Sequence, residues 1–188
     1  MVLGNYYLST ESKEVGEQGL IFSTIEEAKK ALQDGVIHIH TIIGIPTKIF
    51  PEKNLPKKGI LLTTLGKLIL NEILPTTFPY LNDGNHRDLS EDIVAPGNDV
   101  REAMANRVLA KPFSKKFLSF IIDYLYKNYP LEIVPKTMDE IKNLGFKYST
   151  ISSTTISAFD VPKYDKKYEY FVEADKTVQR LKEHFKKG

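Results

Sequence analysis

The stretch Ile60-Leu61-Leu62-Thr63-Thr64-Leu65-Gly66-Lys67-Leu68-Ile69-Leu70-Asn71-Glu72-Ile73-Leu74-Pro75 changes character in its middle, and that change sets the fold class. Its opening, Ile60-Leu61-Leu62, is apolar and reads as a short strand. Thr64 carries the hydroxyl that suits a helix N-cap. The residues after it predict a helix to Leu74, stopped by Pro75, which cannot continue the hydrogen-bond ladder. A strand that feeds directly into a helix points to a mixed α+β domain.

Toward the N-terminus, Ser23 and Thr24 followed at three-residue spacing by Glu26 and Glu27 form a capped helix start, and Gly35 stands where a helix stop belongs. The predicted helix covers about Thr24 to Asp34. Leu20-Ile21-Phe22 before it and Val36 to Ile45 after it are rich in β-branched residues and read as flanking strands. Pro46, Pro51 and Pro56, with Lys53, Asn54, Lys57 and Lys58, mark an exposed loop.

Toward the C-terminus, Asn82 to Pro112 is polar and reads as a long insertion-like loop in which only Val100 to Leu109 has helical spacing. Ser114 opens a core helix whose Phe117, Phe120, Ile121, Tyr124 and Leu125 recur at three and four residues. Pro135 to Leu144 reads as a short helix closed by Gly145, and Thr154 to Phe159 has strand composition. The last segment has a different pattern. Phe171, Ala174, Val178, Leu181 and Phe185 are spaced three, four, three and four, the narrow seam of a coiled coil that needs a facing helix. The expected organisation is therefore a domain over residues 1–160 and a projecting helix over 161–188.

The chain of 188 residues is 41% hydrophobic and 27% charged, enough to bury one sizeable core. Its 26 Lys and Arg against 24 Asp and Glu leave +2, too balanced for the long-range field of a dedicated nucleic-acid binder. No stretch reaches the ~20 apolar residues of a membrane span. Without cysteine or a signal-like N-terminus, a reducing cytoplasm is the expected location.

A search for catalytic chemistry finds little. Glycine-rich phosphate loops are missing from the sequence. His38 and His40 alternate on the expected strand and share one side, but two imidazoles without a third ligand read as structural hydrogen bonders, not a metal site. The acidic pairs Glu26-Glu27 and Asp139-Glu140 suit helix first turns. Asn82-Asp83-Gly84-Asn85 lacks the alternating ligands of a calcium loop and reads as a turn.

Gly4-Asn5-Tyr6-Tyr7, Thr63-Thr64-Leu65-Gly66-Lys67 and Gly145-Phe146-Lys147-Tyr148 resemble, in order, segments of the bacterial RNA polymerase β′ subunit around its pore, or secondary channel. The resemblance also takes in Gly16 to Gly35, Val36 to Thr41 and Thr63 to Tyr80. Asn71-Glu72-Ile73-Leu74-Pro75 and Phe78-Pro79-Tyr80 look closest to mycoplasma and low-GC Gram-positive enzymes. It implies a channel-lining piece of a nucleotidyltransferase, with no catalytic residues of its own. The family's aspartate-rich magnesium motif lies upstream of the matched region, so the piece holds no cofactor and the Mg of the parent enzyme binds outside it.

Further expectations follow from the resemblance. Lys115 and Lys116, with Thr63, Thr64 and Lys67, are the channel-lining candidates, facing incoming triphosphates and the RNA 3′ end. The partners implied are the other polymerase core subunits and transcript-cleavage factors at the channel rim. The terminal helix resembles the first half of the rim hairpin, its second half expected after Gly188. Ile151 and Ser153 depart from the basic residue and glycine common in relatives. A rival reading is a stand-alone RNA-binding module that stacks bases on Tyr164, Tyr168, Tyr170 and Phe171 among lysines.

Overall fold

The computed structural model describes residues 1–187, which form two compact units, Met1–Ser153 and a second from Thr154 onward. The first is α+β, as the strand-to-helix switch predicts. It contains the helices α1 (Val2–Ser9), α2 (Ile25–Gln33), α3 (Leu65–Glu72), α4 (Val100–Asn106), α5 (Lys115–Asn128) and α6 (Ile133–Ile151), and the strands β1 (Ile42–Pro46), β2 (Ile60–Thr64) and β3 (Ile93–Val94). The strands pair antiparallel in the order β1-β2-β3, with Ile42 opposite Thr64 and Ile60 opposite Val94. The second unit carries one long helix, α7 (Lys167–Lys186).

The sequence-predicted caps form. Thr24, Thr64 and Ser114 each accept a hydrogen bond from the backbone amide three residues on, at Glu27, Lys67 and Phe117. Each satisfies an amide that the first helical turn leaves without a partner. β2 runs straight into α3 through Thr64, so the sheet edge and the helix start are one piece of chain.

Four expectations are corrected. Leu20-Ile21-Phe22 is not a strand; Ile21 makes a single parallel bridge to Gly44. β1 begins only at Ile42, because residues 36–41 are spent turning the chain, where Thr41 Oγ1 donates to Val15 O and accepts from His38 N. His38 and His40 therefore lie in a turn rather than on a strand. The helix expected to close at Gly145 continues to Ile151. Gly145 is no stop but a contact point: a Cβ there would sit 2.4 Å from Met1 O, and one on Gly4 would sit 1.7 Å from Gly145 O, so α1 and α6 cross with backbones touching. Finally, residues 154–157 are irregular and lead to a 3-10 turn at Ala158–Asp160, with none of the strand expected from Thr154 to Phe159.

Two apolar clusters fill the first unit. Leu8, Leu70, Leu74, Phe78, Phe113 and Ile121 unite α1, α3, α5 and the turn after α3, while α6 adds Val134 and Ile141. Ile43, Ile45, Leu61, Leu65 and Leu68 join the sheet and α3 to Ala28 of α2. The Asn82 to Pro112 segment is not a detachable insertion. It supplies β3 to the sheet, α4 to a third apolar patch through Met104, and several buried charges.

Candidate functional site

The charges gather where β2 meets α3. Lys67, in the first turn of α3, points inward with its side chain fully enclosed, and its ammonium donates to Glu11 Oε1 at 2.5 Å and to Asn82 O at 2.6 Å. Glu11 also accepts from Arg107 Nη1 at 2.7 Å and from the Ala110 amide at 2.7 Å. Arg107 reaches the other way to Asp92 Oδ1, with Nε at 2.9 Å. Asp92 accepts in addition from Arg87 and, on Oδ2, from Asn82 Nδ2 at 2.7 Å. Thr63 closes the ring: its hydroxyl donates to Asn82 Oδ1 at 2.8 Å and shares a 3.0 Å hydrogen bond with the Tyr80 hydroxyl.

Electrostatics follow from enclosure and pairing. Burial acts to raise the Glu11 carboxyl, but Lys67 and Arg107 override it and hold the group below its ordinary value of 4.5. Burial pulls the Lys67 ammonium down to about 8 against the attraction of Glu11. Tyr80, fully buried, is pushed well above its ordinary value. Two carboxylates, Glu11 and Asp92, face Lys67 and Arg107, so the closed part of the cluster balances. With Glu11, Lys67 and Asp92 side chains wholly inaccessible, the cluster admits no substrate. What it does is bolt the Asn82 to Pro112 segment and the chain after α1 onto the β2–α3 junction.

Thr63, Thr64 and Lys67, expected from the sequence to face a channel, lie in and beside this cluster. All three are fully buried inside their own domain. Lys115 and Lys116, in contrast, are exposed on the first turn of α5. The seam residues Phe171, Ala174, Val178, Leu181 and Phe185 lie on α7 and all are exposed, Phe185 to 90%. Among the described residues, no group of three or more His, Asp or Glu is placed to hold a metal ion. His40 instead meets Thr10 O through Nδ1 at 3.1 Å and Tyr7 edge-on. Burial, with His38 adding to it, keeps His40 below its ordinary value.

Sequence reasoning missed Glu11, Asp92 and Arg107 altogether, and read Asn82 as a turn residue. Glu11 and Arg107 are 96 positions apart, and no local spacing announces such a pair. The one usable signal is Lys67 itself, a charge in the middle of the apolar run from Leu65 to Leu70.

The three stretches that first suggested a family are explained by this packing: Gly4 and Gly145 are the α1–α6 crossing, and Thr63-Thr64-Leu65-Gly66-Lys67 is the cap and cation of the buried cluster. Residues 1–161 match the family described as RNA polymerase Rpb1, domain 3. Over its full length the chain is 50% identical to the DNA-directed RNA polymerase subunit β′ of Malacoplasma penetrans and 50% identical to that of Mycoplasmoides gallisepticum, covering 15% of each. It is 38% identical to the corresponding subunit of Exiguobacterium sibiricum, covering 16% of it. The chain thus spans about 15% of the length of the relatives it matches. On the extent of the family match and the full-chain identity to these subunits, the chain belongs to the RNA polymerase Rpb1 domain 3 family.

Proposed function

We propose that this chain acts as a non-catalytic part of a DNA-directed RNA polymerase β′ subunit, helping to form the secondary channel through which triphosphates enter and the 3′ end of backtracked RNA leaves. The observation that carries this reading is the match of the whole chain to β′ subunits at up to 50% identity. The buried ion cluster supports a scaffolding role: it fixes the Asn82 to Pro112 segment, and with it the start of α5, on the α+β core. Lys115 and Lys116 are the charges best placed to attract triphosphates, being exposed and adjacent in one helical turn. The metal-dependent step belongs to residues outside this chain, and no part of it is assigned to these side chains.

In the same reading α7 is one helix of a hairpin at the channel rim, its apolar stripe covered by a facing helix, with the other core subunits and transcript-cleavage factors as neighbours. The test is kinetic. Lys115→Ala with Lys116→Ala, introduced into the intact polymerase, should raise the apparent KM for nucleoside triphosphates or alter escape from backtracked states. Unchanged values of both would return the two lysines to ordinary surface.

A second reading, RNA binding by the C-terminal unit, is favoured by one observation: Tyr164, Tyr168 and Tyr170 are all exposed among Lys163, Lys166 and Lys167. Tyr164 and Tyr170 stack on each other at 6.0 Å, which occupies one face of each ring. Salt-dependent binding of a single-stranded RNA oligomer by the isolated chain, lost on Tyr168→Ala, would establish that reading; absence of binding at low salt would remove it.

A further inference from the structure

We infer that the cleft between α5 and the turn at residues 82–89 is a docking site for an arginine side chain of a neighbouring protein. The cleft has a volume of about 310 Å3. Its wall is aromatic: Phe117, Phe120 and Tyr124 from α5, Phe78 from the turn after α3, and the imidazole of His86. These rings form one connected set, with His86 4.2 Å from Phe120 and 4.8 Å from Phe117, and Phe78 4.9 Å from Tyr124. Phe120 is left 38% exposed, and His86 is exposed as well. His86 is held at φ +57, a left-handed conformation uncommon for a residue with a Cβ. The turn it makes there leaves its ring packed against Phe117 and Phe120 of α5.

The charge at the mouth selects the occupant. The residues lining the cleft that are charged at neutral pH, His86 aside, are Asp83, Arg87 and Asp88. Arg87 is turned inward: Nη1 donates to Val108 O at 3.1 Å and Nη2 pairs with buried Asp92, so its charge is already engaged. Asp83 is mostly buried, accepts from the amides of Asn85 and Lys111 and lies 3.9 Å from Arg87 Nε, so it is engaged as well. Asp88 remains exposed, and hydrogen bonding to Ser90 keeps its carboxyl below the ordinary value, hence ionised. Lys116, one turn ahead of Phe120, is not among the lining residues. The cleft therefore combines aromatic faces with the exposed carboxylate of Asp88, the pairing that favours a cation over a ring quadrupole and disfavours the phosphates of RNA. Arginine fits better than lysine, because a planar guanidinium can stack on Phe120 while its edge meets a carboxylate in the manner of a fork. Nothing in this inference rests on the channel-lining role.

The experiment is a chemical-shift titration of the 188-residue chain, following Phe120 and His86 ring resonances. The probe is the capped tripeptide Gly-Arg-Gly; the comparison probes are Gly-citrulline-Gly, Gly-Trp-Gly and uridine 5′-monophosphate. The expected result is saturable binding of the arginine peptide at these rings, weakened at least about fivefold in Phe120→Ala and in Asp88→Asn, with both variants retaining the parent circular dichroism spectrum. Citrulline binding as tightly as arginine would overturn the role of charge. Preferential binding of the tryptophan peptide or of the nucleotide, or no shift with any probe, would overturn the proposal.

Discussion

Replacing Glu11 by Gln removes one negative charge and almost no volume, so its effect isolates the electrostatics of the buried cluster. In the wild-type chain Glu11 accepts from Lys67 at 2.5 Å, from Arg107 at 2.7 Å and from the Ala110 amide at 2.7 Å. Glutamine has one acceptor oxygen where the carboxylate has two, and its amide hydrogens would have to face donors. Lys67 would then lose its paired carboxylate, and Arg107 would keep only Asp92, which Arg87 also engages. Breaking a buried pair by deleting one partner costs about 3–5 kcal/mol, since the remaining charge stays desolvated. Set against the ~5–15 kcal/mol of an ordinary domain, that leaves the variant folded but marginal. With an m-value near 2 kcal/mol/M, the urea midpoint should fall by ~1.5 to 2.5 M. Lys67→Met should also be costly, because it strands Glu11 and deprives Asn82 O of its donor. The double variant should cost at least about 1 kcal/mol less than the two singles combined, the sign of direct coupling. A Glu11→Gln loss below ~1 kcal/mol, or strictly additive singles, would refute the claim that these charges hold the loop to the core.

Three further outcomes follow from the same geometry. Because the folded chain holds Glu11 below its ordinary 4.5, the stability it contributes is fully present above that pH and is lost as pH falls through the lower folded value; urea titrations between pH 7 and pH 3 should show this acid loss in the wild type and a shallower one in Glu11→Gln. Gly145→Ala would gain ~1 kcal/mol from helix propensity if the position were open, yet a Cβ 2.4 Å from Met1 O forces α1 off α6, so a net loss of ~1–3 kcal/mol by thermal melting is expected; a stabilised variant would show that the crossing is loose. On α7, Phe171, Val178, Leu181 and Phe185 would gain roughly 1.5 to 3 kcal/mol each from burial, so sedimentation should find association of the chain at high concentration that Leu181→Glu abolishes, and a monomer at every concentration would show that the stripe has no affinity for itself.

Much of the fold was legible because it rests on signals a few residues long. Thr24, Thr64 and Ser114 cap the helices they announce, and Ile60-Leu61-Leu62 is a strand because its side chains suit a sheet with covered faces. The misreadings share a cause. Val36 to Ile45 has strand composition throughout, but the turn that seats Thr41 against Val15 claims its first half, a tertiary demand that composition cannot register. Gly145 has the identity of a helix stop, yet its missing Cβ serves a crossing with Gly4, 141 positions earlier in the sequence.

The candidate site was harder to see for the same reason in stronger form. A buried ion cluster is assembled from single charges on separate segments, each of which looks alone like ordinary solvated surface. The polarity of Asn82 to Pro112 suggested a long insertion-like loop, because polar segments are usually wet. Here Glu11 is the partner of the internal Lys67, and Arg107 and Asp92 from the loop complete the charge balance, Arg107 bridging Glu11 and Asp92, so the loop's polarity is what ties it down. Lys67 stands among leucines on a helix buried nearly all round; a cation there demands a carboxylate, and the sequence supplies twenty-four acidic residues without saying which. The fold resolves that ambiguity: it places Thr63, Thr64 and Lys67 inside the junction of β2 and α3 and leaves the start of α5 exposed to solvent.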